Sequence, residues 1–278
     1  MRAFHVFAGA VLLCSFALVG CSGAGDKNLD VPEEENVPVE TLYNQAADAM
    51  AAGRNVEAAR LFEEVERQYP YSQWATKAEM MAAYSYYKEM RYDEAVIALD
   101  RFIELHPGNE DVDYALYLRA LSFYEQISDV ARDQALTQEA LHALETLIRR
   151  FPESRYSRDA TYKRDLALDH LAGKEMEIGR YYLNRGQLNA AVNRFKTVVK
   201  DYQTTTHVPE ALHRLVEINT TLGLRNEATK VAAVLGYNYP GSKWYEKSYA
   251  VLDDRQRQEL LNDRGFVDRA VDVLFKPD

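Results

Sequence analysis

The sequence predicts an all-α fold: a right-handed solenoid of about five helix–turn–helix repeats, closed by C-terminal capping helices. Three observations carry this. A Glu-Ala pair, once Ala-Ala, recurs along the chain and is followed at fixed steps by two apolar residues and a Pro. A small residue recurs one helix earlier, ahead of a turn. Gly and Pro number 13 and 8 in 278 residues, too few for the many turns of an all-β chain.

The repeated mark reads Glu57-Ala58, Phe62, Val65, Pro70 in the first copy. It returns as Glu94-Ala95, Leu99, Phe102, Pro107 and as Glu139-Ala140, Leu144, Leu147, Pro152. The fourth copy is Ala190-Ala191, Phe195, Val198, with Gln203 in the place of Pro; the fifth is Glu227-Ala228, Ala232, Leu235, Pro240. Steps of four and then three keep these side chains on one face of a helix. The preceding helix ends at Gly53, Met90-Arg91, Gly186 or Gly223, and a small residue (Ala46, Ala83, Gly179) stands seven residues, about two turns, before the first three of these. In the third copy Ala120 and Phe123 align with Ala83 and Tyr86 once extra residues are allowed before Glu139. This is the tetratricopeptide (TPR) pattern, with a basic period of about 34 residues. The extra residues fall in loops, which lengthen at little entropic cost. One such unit cannot bury its apolar face alone, so the units must stack. The expected repeats span about 39–72, 73–109, 110–154, 155–205 and 206–241. Residues 242–278 follow as a capping helix and tail. Ser242 to Asp253 reads as one more first helix. Phe266, Val267, Ala270, Val271, Leu274 and Phe275 form an amphipathic stripe.

The N-terminus reads as an address. Arg2 precedes an uncharged apolar run, Val6 to Val19, which is shorter than the ~20 residues of a membrane-spanning helix. It ends in Leu18-Val19-Gly20-Cys21, which resembles the bacterial lipobox. The expectation is a lipoprotein signal peptide over 1–20. Cys21 then carries a covalent lipid, and a flexible acidic tether fills 21–38. By the same resemblance Ser22, where inner-membrane retention usually needs Asp, implies sorting to the outer membrane.

Charge and motif content exclude several functions. A formal net charge of −10 leaves no basic face for nucleic acid. The two cysteines, Cys14 and Cys21, cannot build a disulfide scaffold or a zinc site in the body of the chain. His106, His142, His170, His207 and His213 are scattered, and no nucleophile elbow, phosphate loop or zinc-protease motif occurs. The expectation is a non-enzymatic protein with no metal and no cofactor beyond the lipid on Cys21.

In TPR units the first helices line a concave groove. Its inward positions fall on Tyr43, Ala47 and Met50 in the first unit, Met80, Tyr84 and Tyr87 in the second, and Tyr117, Leu121 and Tyr124 in the third. Aromatic rings and thioethers suit extended apolar peptides. The Lys and Asn of a carboxylate clamp are not at these places. The alternative is that the same rings pack between helices as core, since a register shift of one residue exchanges the two.

Longer runs are more specific. Tyr69-Pro70-Tyr71-Ser72, Ala83-Tyr84-Ser85-Tyr86-Tyr87-Lys88, Asp100-Arg101-Phe102-Ile103, Asp113-Tyr114-Ala115-Leu116-Tyr117-Leu118-Arg119, Phe151-Pro152-Glu153-Ser154 and Ala191-Val192-Asn193-Arg194 resemble the BamD family. Its members are TPR lipoproteins of the β-barrel assembly (BAM) complex in Gram-negative bacteria. The resemblance implies a scaffold anchored to the outer membrane by lipid and facing the periplasm. Its C-terminal repeats would dock on the periplasmic domains of BamA and on other BAM lipoproteins, with Arg194 and Lys200 as candidate BamA contacts. Its N-terminal repeats would meet unfolded outer-membrane protein substrates whose signal ends in an aromatic residue. Gln203 in place of Pro, and the tail beyond residue 250, depart from the family pattern. Rival readings are a pilotin for a secretin ring and an adaptor of a cell-wall hydrolase.

Overall fold

The computed structural model describes residues 37–262, so Cys21, the signal peptide, most of the tether and the 266–275 stripe lie outside the described residues. Within them are twelve α-helices and no strand. They run α1 (Val39–Ala51), α2 (Asn55–Gln68), α3 (Gln73–Lys88), α4 (Tyr92–Leu105), α5 (Val112–Tyr124), α6 (Ala135–Arg150), α7 (Ser157–Asn184), α8 (Leu188–Asp201), α9 (Val208–Thr221), α10 (Arg225–Asn238), α11 (Lys243–Val251) and α12 (Asp254–Asn262). Successive helices from α1 to α10 pack on one another, and α11 lies against α9 and α10. This is an all-α helical-repeat fold of TPR type.

The local chemistry explains the hairpins. The turns after α1, α3, α7 and α9 place Gly53, Met90, Gly186 and Gly223 at φ of 74°, 60°, 70° and 73°. After α1, Gly53 N–H donates to Met50 O and Arg54 N–H to Ala49 O, both at 2.9 Å. These two bonds make the Schellman motif, which satisfies carbonyls that a helix end otherwise leaves bare. Met90 accepts the left-handed conformation without the freedom of Gly, and its side chain stands in solvent.

A second turn ends each later hairpin member. Ser72, Asn109, Ser154, Thr205 and Ser242 donate their N–H to the carbonyls of Tyr69, His106, Phe151, Tyr202 and Tyr239 at 3.0–3.1 Å. Pro stands at the second position of four of these turns, where its fixed φ is preorganised. Gln203 occupies it in the fourth, and the turn closes at 3.1 Å all the same. The departure from Pro therefore leaves the loop geometry intact. Gln203→Pro is expected to stabilise the chain by about 0.4–1 kcal/mol through loss of unfolded-state freedom. The urea midpoint checks this, and a lower midpoint would show that the backbone there does not suit Pro.

The repeated marks are the core. Ala58, Ala95, Ala140, Ala191 and Ala228 are fully buried, as are Phe62, Leu99, Leu144, Phe195 and Ala232. Val65, Phe102, Leu147, Val198 and Leu235 are at most 1% exposed. The small residues of the facing helices, Ala46, Ala83 and Ala120, are equally buried. Gly179 shows why they are small: a Cβ there would lie 2.5 Å from Cε1 of the Phe195 ring. Helix α10 repeats the device, with a Cβ on Gly236 falling 2.6 Å from Cε2 of Tyr245 on α11.

Candidate functional site

The expected groove residues do not share one environment. Met80 is 6% exposed and belongs to the core shared by α3 to α7, which corrects its assignment to the groove wall. Position 80 follows Ala75 and Ala78 on the buried side of α3, and its thioether fills space under the surface rings. Tyr43 is partly buried between Phe62 of α2 and Trp74 of α3, at ring-centroid distances of 5.2 and 4.8 Å. Met50 is partly buried at the end of α1.

Tyr84, Tyr87, Tyr117 and Tyr124 are all partly buried and pack by one side on the same core. The structure adds Tyr114 and Tyr156, which the groove register did not single out. Tyr117 stacks on Tyr156 at 5.0 Å with the planes 19° apart, and Tyr114 lies 5.1 Å from the same ring. Tyr87 meets Tyr92 of α4 at 5.8 Å. The Tyr117 hydroxyl donates to Asp159 Oδ2 at 2.6 Å. Lys163 Nζ lies 4.9 Å from the centre of the Tyr124 ring, and the Arg155 guanidinium 4.7 Å from that of Tyr156. The result is a row of tyrosines carried by α3, α5 and the start of α7, flanked by two cations.

Packing moves the phenols. Burial first, then the neighbouring Tyr84, Tyr156 and Tyr87, push Tyr114 up to about 12. Burial and the bond to Asp159 raise Tyr117 further. At the edge of α3, burial and the bond to Glu63 push Tyr86 up to about 12. A phenol raised in the folded chain is held neutral there while the unfolded chain ionises near its ordinary value of about 10. Its stabilisation is complete below about pH 10 and is lost as pH rises through the folded values. The urea midpoint is therefore expected to fall as pH rises from about 10 to about 12. Tyr114→Phe should flatten that slope, and an unchanged slope would show that Tyr114 ionises alike in both states.

Beyond Tyr124 the row opens into a cleft of about 530 Å³, lined by Tyr124, Ile127, Leu166, Ala167, His170 and His207 among others. The extra residues of the third repeat form one wall. Lys174 Nζ donates to Ala131 O at 2.8 Å, and His170 Nδ1 lies 2.9 Å from Gln134 Oε1, so α7 holds this loop in place. On the other wall Thr206 donates its N–H and its hydroxyl to Asp169 Oδ1 at 2.9 and 2.7 Å. No cluster of three His, Cys, Asp or Glu suited to a metal occurs among the described residues.

The candidate docking cations lie apart. Arg194 Nη1 donates to both carboxylate oxygens of Glu175, at 3.0 and 3.2 Å, and so ties α8 to α7. Lys200 is exposed on the last turn of α8. Six residues apart on one helix, they point about 120° from each other and do not make one patch.

Sequence reasoning missed Tyr114, Tyr156, Lys163 and the cleft. Tyr114 carries a readable signal, because it stands one turn before Tyr117 on the same helix. Tyr156 and Lys163 reach the row only through the packing of α5 against α7.

Stacked helix pairs with small-residue contacts, carrying an aromatic row and a cleft, define a helical-repeat protein of the TPR class. Residues 35–235 match the YfiO family, described as an outer membrane lipoprotein. The chain is 49% identical over 245 residues to the outer membrane protein assembly factor BamD of Caulobacter vibrioides, covering 88% of this chain and 80% of that one. It is 44% identical to the factor of the same name from Rickettsia prowazekii, over 89% of this chain and 96% of that one. A third, from Neisseria meningitidis serogroup A, is 35% identical, with coverage of 81% and 88%. The chain belongs to the YfiO family of outer membrane lipoproteins. Its place is the outer membrane, and no helix among the described residues is long and apolar enough to cross a membrane.

Proposed function

We propose that the chain is a non-enzymatic scaffold of outer-membrane protein assembly. In this reading the five hairpins α1–α2 to α9–α10 are the repeats, α11 and α12 are the cap, and lipid on Cys21 anchors the chain. The tyrosine row receives unfolded β-barrel substrates. The C-terminal repeats dock on BamA and other BAM lipoproteins, with Lys200 and the Glu175-paired Arg194 as contacts on separate faces of α8. The observation that carries the reading is the relatives' shared name, outer membrane protein assembly factor, at up to 49% identity over most of this chain. The row supports it, because half-packed rings offer open faces worth ~0.5–1.5 kcal/mol per aromatic pair beyond area burial. An unfolded substrate loses ordering entropy on binding, so affinity stays modest and release is easy.

The test is Tyr87→Ala combined with Tyr124→Ala in the full chain. The double variant is expected to lose most cross-linking to the C-terminal peptide of a β-barrel protein while still capturing BamA. Because both rings also touch the core, the melting curve is read alongside. Peptide capture that falls only in proportion to the folded fraction would refute the substrate row, and wild-type chain that captures no BamA would refute the docking.

A further inference from the structure

Short turns make successive helices run antiparallel, so α2, α4, α6, α8 and α10 end, and α1, α3, α5, α7, α9 and α11 begin, at one rim of the stacked hairpins. At the α6–α7 turn this rim reverses the charge of the chain. Arg149, Arg150, Arg155 and Arg158 stand there against one acid, Glu153, in a protein of net charge −10. All four are exposed, and among the described residues none pairs with a carboxylate. Other exposed arginines, Arg54 and Arg91 among them, are tied to Glu57 and Glu94. The Arg150 guanidinium lies 5.5 Å from the centre of the Phe151 ring, and that of Arg155 4.7 Å from the centre of Tyr156. Two of the four cations are thus steadied by aromatic faces and not neutralised. The rim combines cations and an aromatic ring again where α11 begins: Nζ of Lys243 and of Lys247 lie 5.0 and 4.7 Å from the centre of the Trp244 ring. At the α4–α5 turn Glu110 and Asp111 stand instead, so the basic character belongs to particular turns.

We infer that the arginines of the α6–α7 turn rest on an anionic phospholipid surface. Two observations choose lipid over other anions. The chain belongs to a family of outer membrane lipoproteins, so a phospholipid surface is always at hand. The first helix α1 begins at this same rim, so a lipid on Cys21 ties this rim to the bilayer and not the opposite one. That orientation rests on the reading of Cys21 as the anchor. The chemistry fits as well. A guanidinium presents a planar fork that matches phosphate oxygens, and Trp flanked by Lys suits the headgroup level. A body of net charge −10 is otherwise repelled by an anionic surface, so a basic turn on one rim sets which side of it faces the membrane. The tyrosine row and the docking of BamA concern other chains, and this contact is independent of both.

The experiment uses the full mature chain with Cys21→Ser, so that no covalent lipid holds it. Co-sedimentation is measured with vesicles of phosphatidylcholine alone and with vesicles in which one third is phosphatidylglycerol. The chain is expected to bind the anionic vesicles about a hundredfold more tightly, and added salt should release it. Arg149→Gln combined with Arg158→Gln removes no contact within the described residues. It should weaken binding about thirtyfold, from roughly fivefold per basic residue at such a surface. Lys at the same two positions should keep most of the binding, and melting temperatures confirm that each variant folds. Equal binding to the two kinds of vesicle overturns the inference, and so does a preference that the double Gln variant retains. Tighter capture by soluble polyglutamate than by anionic vesicles overturns it too, and assigns the turn to an acidic protein. Each of these failures leaves the peptide row, the capture of BamA and the anchor standing, because those are read without this contact.

Discussion

Phe195→Ala is expected to cost about 3–5 kcal/mol, as for other buried aromatic residues. The ring is fully buried and its edge lies on the bare backbone of Gly179. That contact makes a second, sharper expectation. Gly179→Ala would set a methyl 2.5 Å from Cε1 and 2.9 Å from Cδ1 and Cζ of a ring that has nowhere to swing. Helix propensity favours Ala by ~0.8–1.0 kcal/mol, but overpacking of this kind costs ~1–3 kcal/mol, so the net effect is loss. Combined with Phe195→Ala, the methyl would instead enter the space the ring vacates. The two changes should then be non-additive by ~0.5–3 kcal/mol, with the double variant more stable than the sum predicts. Urea unfolding of the four chains measures this. Simple additivity would mean that α7 shifts to make room, and that the contact does not set the spacing of this hairpin.

His213→Ala should release the cap. His213 is 2% exposed on α9, and its Nδ1 lies 2.8 Å from the Ser248 hydroxyl of α11. Its ring lies 5.3 Å from that of Trp244, and its Nε2 is 3.3 Å from Glu217. Truncation strands the fully buried Ser248 hydroxyl, which alone costs about 1–3 kcal/mol. The same site is sensitive to acid. Burial holds the imidazole below its ordinary value, with Arg214 and Lys247 acting in the same sense and Glu217 and Glu210 against it. The folded chain thus keeps His213 neutral while the unfolded chain protonates it near pH 6.5. Its contribution is complete above about pH 6.5 and is lost as pH falls below that value through the depressed folded one. Stability of the wild type should fall between about pH 7 and about pH 5, and this slope should be smaller in His213→Ala. Equal slopes would assign the acid sensitivity to other groups.

The helical repeat was legible in the residues because burial repeats with the helix. Each Ala of the Glu-Ala pairs, each apolar residue four further on and each third member of the mark is buried, and those steps are properties of one helix that needs no neighbour to be read. Turn chemistry is equally local: a left-handed residue closes the first helix, and a short turn with Pro or Gln at its second position closes the second. The Gly179 contact also left its trace, as a small residue in the position that Ala holds elsewhere.

The candidate site was legible only in part. One residue of helix turns the side chain by about 100°, so a periodic pattern separates core from solvent but assigns the boundary positions poorly. Met80 fell inward and Tyr84 and Tyr87 to the edge for this reason. Contacts between helices of different hairpins depend on crossing angle and axial offset, which no single helix encodes. The stacking of Tyr117 on Tyr156, the seat of Lys163 over Tyr124 and the cleft against the α5–α6 loop are all of this kind. The sequence by itself therefore determined a helical repeat, its buried positions and its family. The tertiary structure alone decided which tyrosines meet and which cation stands beside them, because those contacts arise from how separate hairpins stack.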